Sequence, residues 1–106
     1  MCSQIAGGRV IATDGKFIGS LTNKYNAESV LNQYGTYGGQ YSALSIYNPY
    51  GEYGSRYSSK SAYNPYTNTP PRITFTSGTF VWLTVNSVFA GTSVSPDVVK
   101  TCTNFP

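Results

Sequence analysis

One hundred and six residues and 11.5 kDa leave room for one domain. Charged residues make up only 10% and the net charge is +3, which excludes a charge-driven disordered tail and a strongly basic nucleic-acid binder. Histidine is absent, and with it go the usual catalytic triads, histidine-based metal sites and any pH switch near neutrality.

The chain opens Met1-Cys2-Ser3-Gln4, with no basic stretch and no apolar run of signal-peptide length, so the expectation is a mature form whose export signal has been removed. Its two cysteines, Cys2 and Cys102, stand at opposite ends. A Cys2–Cys102 disulfide would close almost the whole chain and place the protein outside the cytosol. Two alternatives stand beside it: a lipidated Cys2 with Cys102 unpaired, and two buried free thiols. Neither cysteine has the neighbours a zinc site needs, and no apolar run is long enough to span a membrane.

Residues 9–22 read as a first β-hairpin. Arg9-Val10-Ile11-Ala12-Thr13 and Lys16-Phe17-Ile18 are β-rich arms around Asp14-Gly15, a dipeptide suited to the positive φ of a tight turn. Residues 72–86 repeat the design, with Arg72-Ile73-Thr74-Phe75-Thr76 before Ser77-Gly78 and Thr79-Phe80-Val81-Trp82-Leu83 after it. A lone hairpin is marginal in water, so the pair is expected to join in one antiparallel sheet or to pack face to face. Phe17, Ile18, Leu21, Ile73, Phe75, Phe80, Trp82 and Leu83 are the expected core.

Between the hairpins, residues 23–71 hold all ten tyrosines, while every phenylalanine and the tryptophan fall outside. A 16-residue period runs through the stretch: Ser29 to Leu44 and Ser45 to Lys60 agree at eight of sixteen positions. A third copy begins at Ser61 and stops at Pro70-Pro71, and Tyr25 stands where Tyr41 and Tyr57 stand. Asn48-Pro49-Tyr50-Gly51 fits a type I turn, and Ser29, Ser45 and Ser61 are placed to cap single helical turns. Proline after Asn48 and Asn64 disfavours helix, so serial turns are expected in place of long helices. Rings folded over the sheet, hydroxyls bonded or wet, would make a second core.

The segment Asn48-Pro49-Tyr50-Gly51-Glu52-Tyr53-Gly54-Ser55-Arg56-Tyr57-Ser58-Ser59-Lys60-Ser61-Ala62-Tyr63-Asn64-Pro65-Tyr66 resembles a tyrosine repeat of small exported bacterial proteins of unassigned function. In that group the repeats are flanked by segments similar to Asp14-Gly15-Lys16-Phe17-Ile18-Gly19. The resemblance spans roughly residues 9 to 86. It implies a bacterial secreted, periplasmic or cell-envelope address and brings with it no catalytic residue or cofactor. Gln33 stands where the repeat has proline, and the 87–106 tail lies outside the resemblance. Within that tail Ser95-Pro96-Asp97 is a helix-start signature.

The functional expectation is a non-catalytic module. Of the four carboxylates, Asp14 belongs to a turn and Asp97 to a helix start, and nothing in the spacing of Glu28 and Glu52 brings them together. No catalytic residue, cofactor or metal ligand is expected. Residues 23–71 carry a net charge of only +1 (Lys24, Arg56 and Lys60 against Glu28 and Glu52), too little for a nucleic-acid track. Tyrosine interleaved with Ser, Gly and Asn is the composition of adhesive binding surfaces. The candidate face is Tyr47, Asn48, Tyr50, Tyr53, Arg56, Tyr57, Tyr63 and Tyr66. Its partner would be a protein or polysaccharide of the cell envelope, or a second copy of the chain. Two alternatives are a carbohydrate-binding module and a self-associating extracellular structural protein.

Overall fold

Both hairpins form where the sequence places them. In the computed structural model, which describes residues 2–106, β1 (Arg9–Ile11) pairs antiparallel with β2 (Phe17–Ser20), and β3 (Arg72–Thr74) with β4 (Phe80–Leu83). Gly15 and Gly78 sit in the turns at φ 87° and 91°, values that a side chain resists. An antiparallel β1–β3 pair then welds the two hairpins into one sheet, pairing Val10 with Ile73.

A fifth strand departs from the expected all-antiparallel sheet. After β4, Asn86 caps a short 3-10 turn (Ser87–Phe89), and the chain returns beside β4 in the same direction as β5 (Ser93–Val94). The sheet is therefore mixed, in the order β2-β1-β3-β4-β5. A two-residue strand carries too little pattern to be read from sequence. The helix start does appear: Ser95 Oγ accepts the Asp97 amide at 3.1 Å, and α2 (Pro96–Lys100) follows. A single turn, α1 (Cys2–Ile5), precedes β1 and had no sequence signal. Cys2 and Cys102 are disulfide-bonded, tying α1 to the residues just after α2.

The core lies between the sheet and the chain that links the hairpins. Val10, Ile18, Ile73 and Leu83 on the strands, with Leu21, pack against Val30, Ile46 and Ala62 of the linking segment. Ile5, Val94, Val99 and Phe105 close the ends. The expected aromatic contribution is only partly met. Phe17, Phe75 and Trp82 are half-buried and Phe80 is exposed. Strand alternation is the cause, because Phe80 and Trp82 leave β4 on the face opposite to Leu83. On that outer face Trp82 meets Phe80 edge-on and tilts against Phe89, both at 5.2 Å between centroids.

Candidate binding groove

Residues 23–71 coil through successive turns and contain no helical element. Backbone N–H groups donate to the carbonyl three residues back at almost every step, as from Asn32 to Ser29, Gly35 to Asn32 and Ser45 to Ser42. One step of four interrupts each unit, from Gly39 to Gly35 and from Ser55 to Gly51. Four steps of three and one of four make up the 16-residue period.

Side chains hold these turns. Asn32, Asn48 and Asn64 each accept, through Oδ1, the amide two residues on at 3.0 Å. Ser29, Ser45 and Ser61 do the same through Oγ, so these serines make turns of their own and cap no helix. The amide nitrogens of the three asparagines reach back six residues, to the carbonyls of Asn26, Ser42 and Ser58. Ser42 and Ser58 reach back six residues in the same way, to Thr36 and Glu52. The coil is thus braced against the turns before it. Gly38 and Gly54 make the bracing possible, since a Cβ at either would collide with the backbone of Asn32 or Asn48.

This repeat sorts its positions by phase. Val30, Ile46 and Ala62 occupy one phase and face the sheet, each preceded by a buried serine. Two tyrosine phases turn inward. Tyr37 meets Phe17 edge-on at 5.1 Å, and Tyr53 is buried with its hydroxyl donating to Asp14 Oδ2 at 2.9 Å. Tyr47 donates to the Pro96 carbonyl at 2.9 Å and Tyr63 to Asp97 Oδ1 at 2.8 Å, which pins the coil to the start of α2. The other two phases, Tyr25, Tyr41 and Tyr57 with Tyr34, Tyr50 and Tyr66, point out of the coil and are 79–97% exposed.

A groove of about 870 Å³ runs across the coil to the end of α2. Tyr34, Tyr41 and Tyr57 stand along it, Tyr47 and Tyr63 line it beside Gly38 and Gly54, and Gln33, Gln40 and Thr103 add polar groups. Lys24, Arg56 and Lys100 also line it, each near a ring: Lys24 Nζ lies 5.4 Å from the Tyr25 centroid, Arg56 Cζ 5.7 Å from Tyr57 and Lys100 Nζ 5.0 Å from Tyr47.

Asp14 and Glu52 are occupied away from the groove, and Asp97 is held by the Tyr63 hydroxyl at its edge. Asp14 accepts the Lys16 amide and the Tyr53 hydroxyl and pairs with Lys60, contacts that hold it below the usual carboxylate range. Glu52 takes Lys60 at 2.7 Å, and Lys60 is raised by that partner first. Burial, then the Asp14 hydrogen bond, pushes Tyr53 up to about 12. Tyr47 and Tyr63 are raised too, by burial first and then by Asp97.

Of the eight residues expected on the face, Tyr50, Arg56, Tyr57 and Tyr66 are exposed, and of these Arg56 and Tyr57 line the groove while Tyr50 and Tyr66 do not. Tyr47 and Tyr63 reach the groove as lining whose hydroxyls are already bonded. Asn48 and Tyr53 do not belong to a solvent-facing surface. The side chain of Asn48 is consumed by the Ser42 carbonyl and the Tyr50 amide, and Tyr53 is turned into the first hairpin. Lys24, Gln33, Tyr34, Gln40, Tyr41 and Lys100 were missed. The repeat phase that groups Tyr25 and Tyr41 with Tyr57 was the signal that could have found Tyr41, and with it Lys24 and Gln40, which stand where Arg56 stands. Against known protein families, characterised proteins and solved structures, the chain finds no match.

Proposed function

We propose that this protein is a non-catalytic binding module of the bacterial cell exterior or envelope, which presents its tyrosine-lined groove to an extended partner. The observation that carries the reading is the outward set of six tyrosines, 79–97% exposed on a coil whose other four tyrosines are tied inward. Rings held by a braced backbone lose little freedom on binding, which is how Tyr-rich recognition surfaces gain affinity. The groove falls in the size range of ligand clefts and combines apolar walls with a few polar groups. Support for an oxidising address comes from the Cys2–Cys102 disulfide. Among the described residues no helix is long and apolar enough to cross a membrane.

Mapping of tyrosine iodination by mass spectrometry tests the reading. The free protein should react at the six outward tyrosines and spare Tyr53. A panel of envelope polysaccharides and proteins should contain a member that protects Tyr34, Tyr41 and Tyr57 together. Protection by no member, or protection that depends only on the protein's own concentration, would overturn it, and the second result would favour self-association.

A further inference from the structure

Resting on the binding-module reading, we infer that the groove takes an acidic polysaccharide, a linear sugar chain bearing carboxylate or sulfate groups. Charge is the first ground. Lys24, Arg56 and Lys100 line the groove and no carboxylate does. Among the described residues the ion pairs are those of Lys60 with Asp14 and Glu52, so the three groove cations are free of them. Glu28 lies with Arg9 in a separate, smaller cleft. A cation beside a phenol face keeps N–H donors available to an acidic group, while the ring gives a flat wall to the C–H face of a sugar.

Period is the second ground. Lys24, Gln40 and Arg56 stand sixteen residues apart, each directly before an outward ring: Tyr25, Tyr41 and Tyr57. Successive units therefore offer the same pair, a donor and a ring, and for Gln40-Tyr41 and Arg56-Tyr57 both members line the groove. A chain with its own repeat satisfies such a row, whereas a single small molecule engages one step of it. Gln33 and Gln40 add both donors and acceptors, which suit hydroxyl-rich ligands. Single-stranded nucleic acid also uses rings and cations, but one phosphate per nucleotide calls for a denser cationic track than three side chains distributed over the groove.

The full-length oxidised protein is titrated by calorimetry with an oligogalacturonate, a neutral β-glucan oligosaccharide of equal length and an oligothymidylate. The oligogalacturonate should bind, and more weakly as salt is raised. Arg56→Gln should weaken it about tenfold, the worth of one charge-assisted contact. Tyr57→Ala should weaken it about as much, and both variants should keep the parent's circular dichroism. Equal binding of the neutral glucan, with no effect of Arg56→Gln, overturns the acidic class and leaves the binding module standing. Tighter binding of the oligothymidylate overturns the polysaccharide. Binding of the oligogalacturonate that Tyr41→Ala and Tyr57→Ala leave untouched places it outside the groove and overturns both readings, whereas binding of none of the three overturns the inference alone.

Discussion

Tyr53 shows how one hydroxyl couples the coil to the sheet. Its hydroxyl donates to Asp14 in the turn between β1 and β2, and Lys60, seven residues further along the coil, pairs with the same carboxylate. In the native chain burial and the Asp14 hydrogen bond push Tyr53 up to about 12, above the value of about 10 for an unfolded tyrosine. The native state therefore holds the proton more tightly, and the resulting stability is whole below about pH 10 and is lost as pH rises through about 12. Tyr47 and Tyr63 act in the same direction. Asp14 has the opposite sign, since its folded value is lowered. Its contribution is present above the ordinary carboxylate range and disappears as pH falls through the lowered value. Tyr53→Phe should cost about 1.5–3 kcal/mol at neutral pH, the worth of a hydrogen bond to a charged group, and should shallow the alkaline loss. Urea unfolding followed by circular dichroism from pH 7 to 12 measures both effects. An alkaline slope equal to the parent's would show that Tyr53 takes no part in it.

At the scale of the element, the repeat is a division of labour by phase. Ile46 is fully buried on the inward phase and Tyr50, four residues later, is exposed. Ile46→Ala should lose about 2–4 kcal/mol in urea unfolding, whereas Tyr50→Ala should stay within about 0.5 kcal/mol. Gly54→Ala should cost about 1–3 kcal/mol, as overpacking does, because its Cβ has only the Asn48 backbone to displace. A loss at Tyr50 to rival that at Ile46 would mean that the outward rings are structural. The hairpins were legible because turn chemistry is local: Asp14-Gly15 and Ser77-Gly78 fix the reversal whatever lies around them. So was the serial-turn character of residues 23–71, since proline after Asn48 and Asn64 disfavours a helix wherever those residues pack. The direction of each ring was not legible. Tyr53 and Tyr57 are the same residue type four positions apart, and only the path of the coil over the hairpin turn decides which one is buried. The share of the aromatics in the core was misjudged for a related reason. Val81 and Trp82 are both apolar, and a continuous apolar run such as Phe80 to Leu83 does not announce which face meets solvent. Lys100 entered the groove from α2 through a contact that no local pattern encodes.

For the whole molecule, the sulfur bridge joins ends that the sheet leaves on separate elements. Secondary structure here is short: among the described residues no strand is longer than four residues and no helix longer than five. A coil of turns fills the middle, and its hydrogen bonds close mainly between near neighbours. Contacts of that range restrict the unfolded chain little, so the long-range constraint falls to the sheet and to a disulfide with a sequence separation of 100. In the chain-entropy view, closing such a loop contributes about 4–5 kcal/mol, a large share of the roughly 5–15 kcal/mol that a domain has in total. The double variant Cys2→Ser/Cys102→Ser should therefore unfold at much lower urea, with about 3–5 kcal/mol lost. Its denaturant slope should steepen, because a chain without the clasp exposes more surface when it opens. Treating the parent with a reductant should reproduce both changes. If the reduced parent matches the oxidised one in midpoint and slope, the bridge is dispensable, and the link between this fold and an oxidising compartment loses its thermodynamic basis.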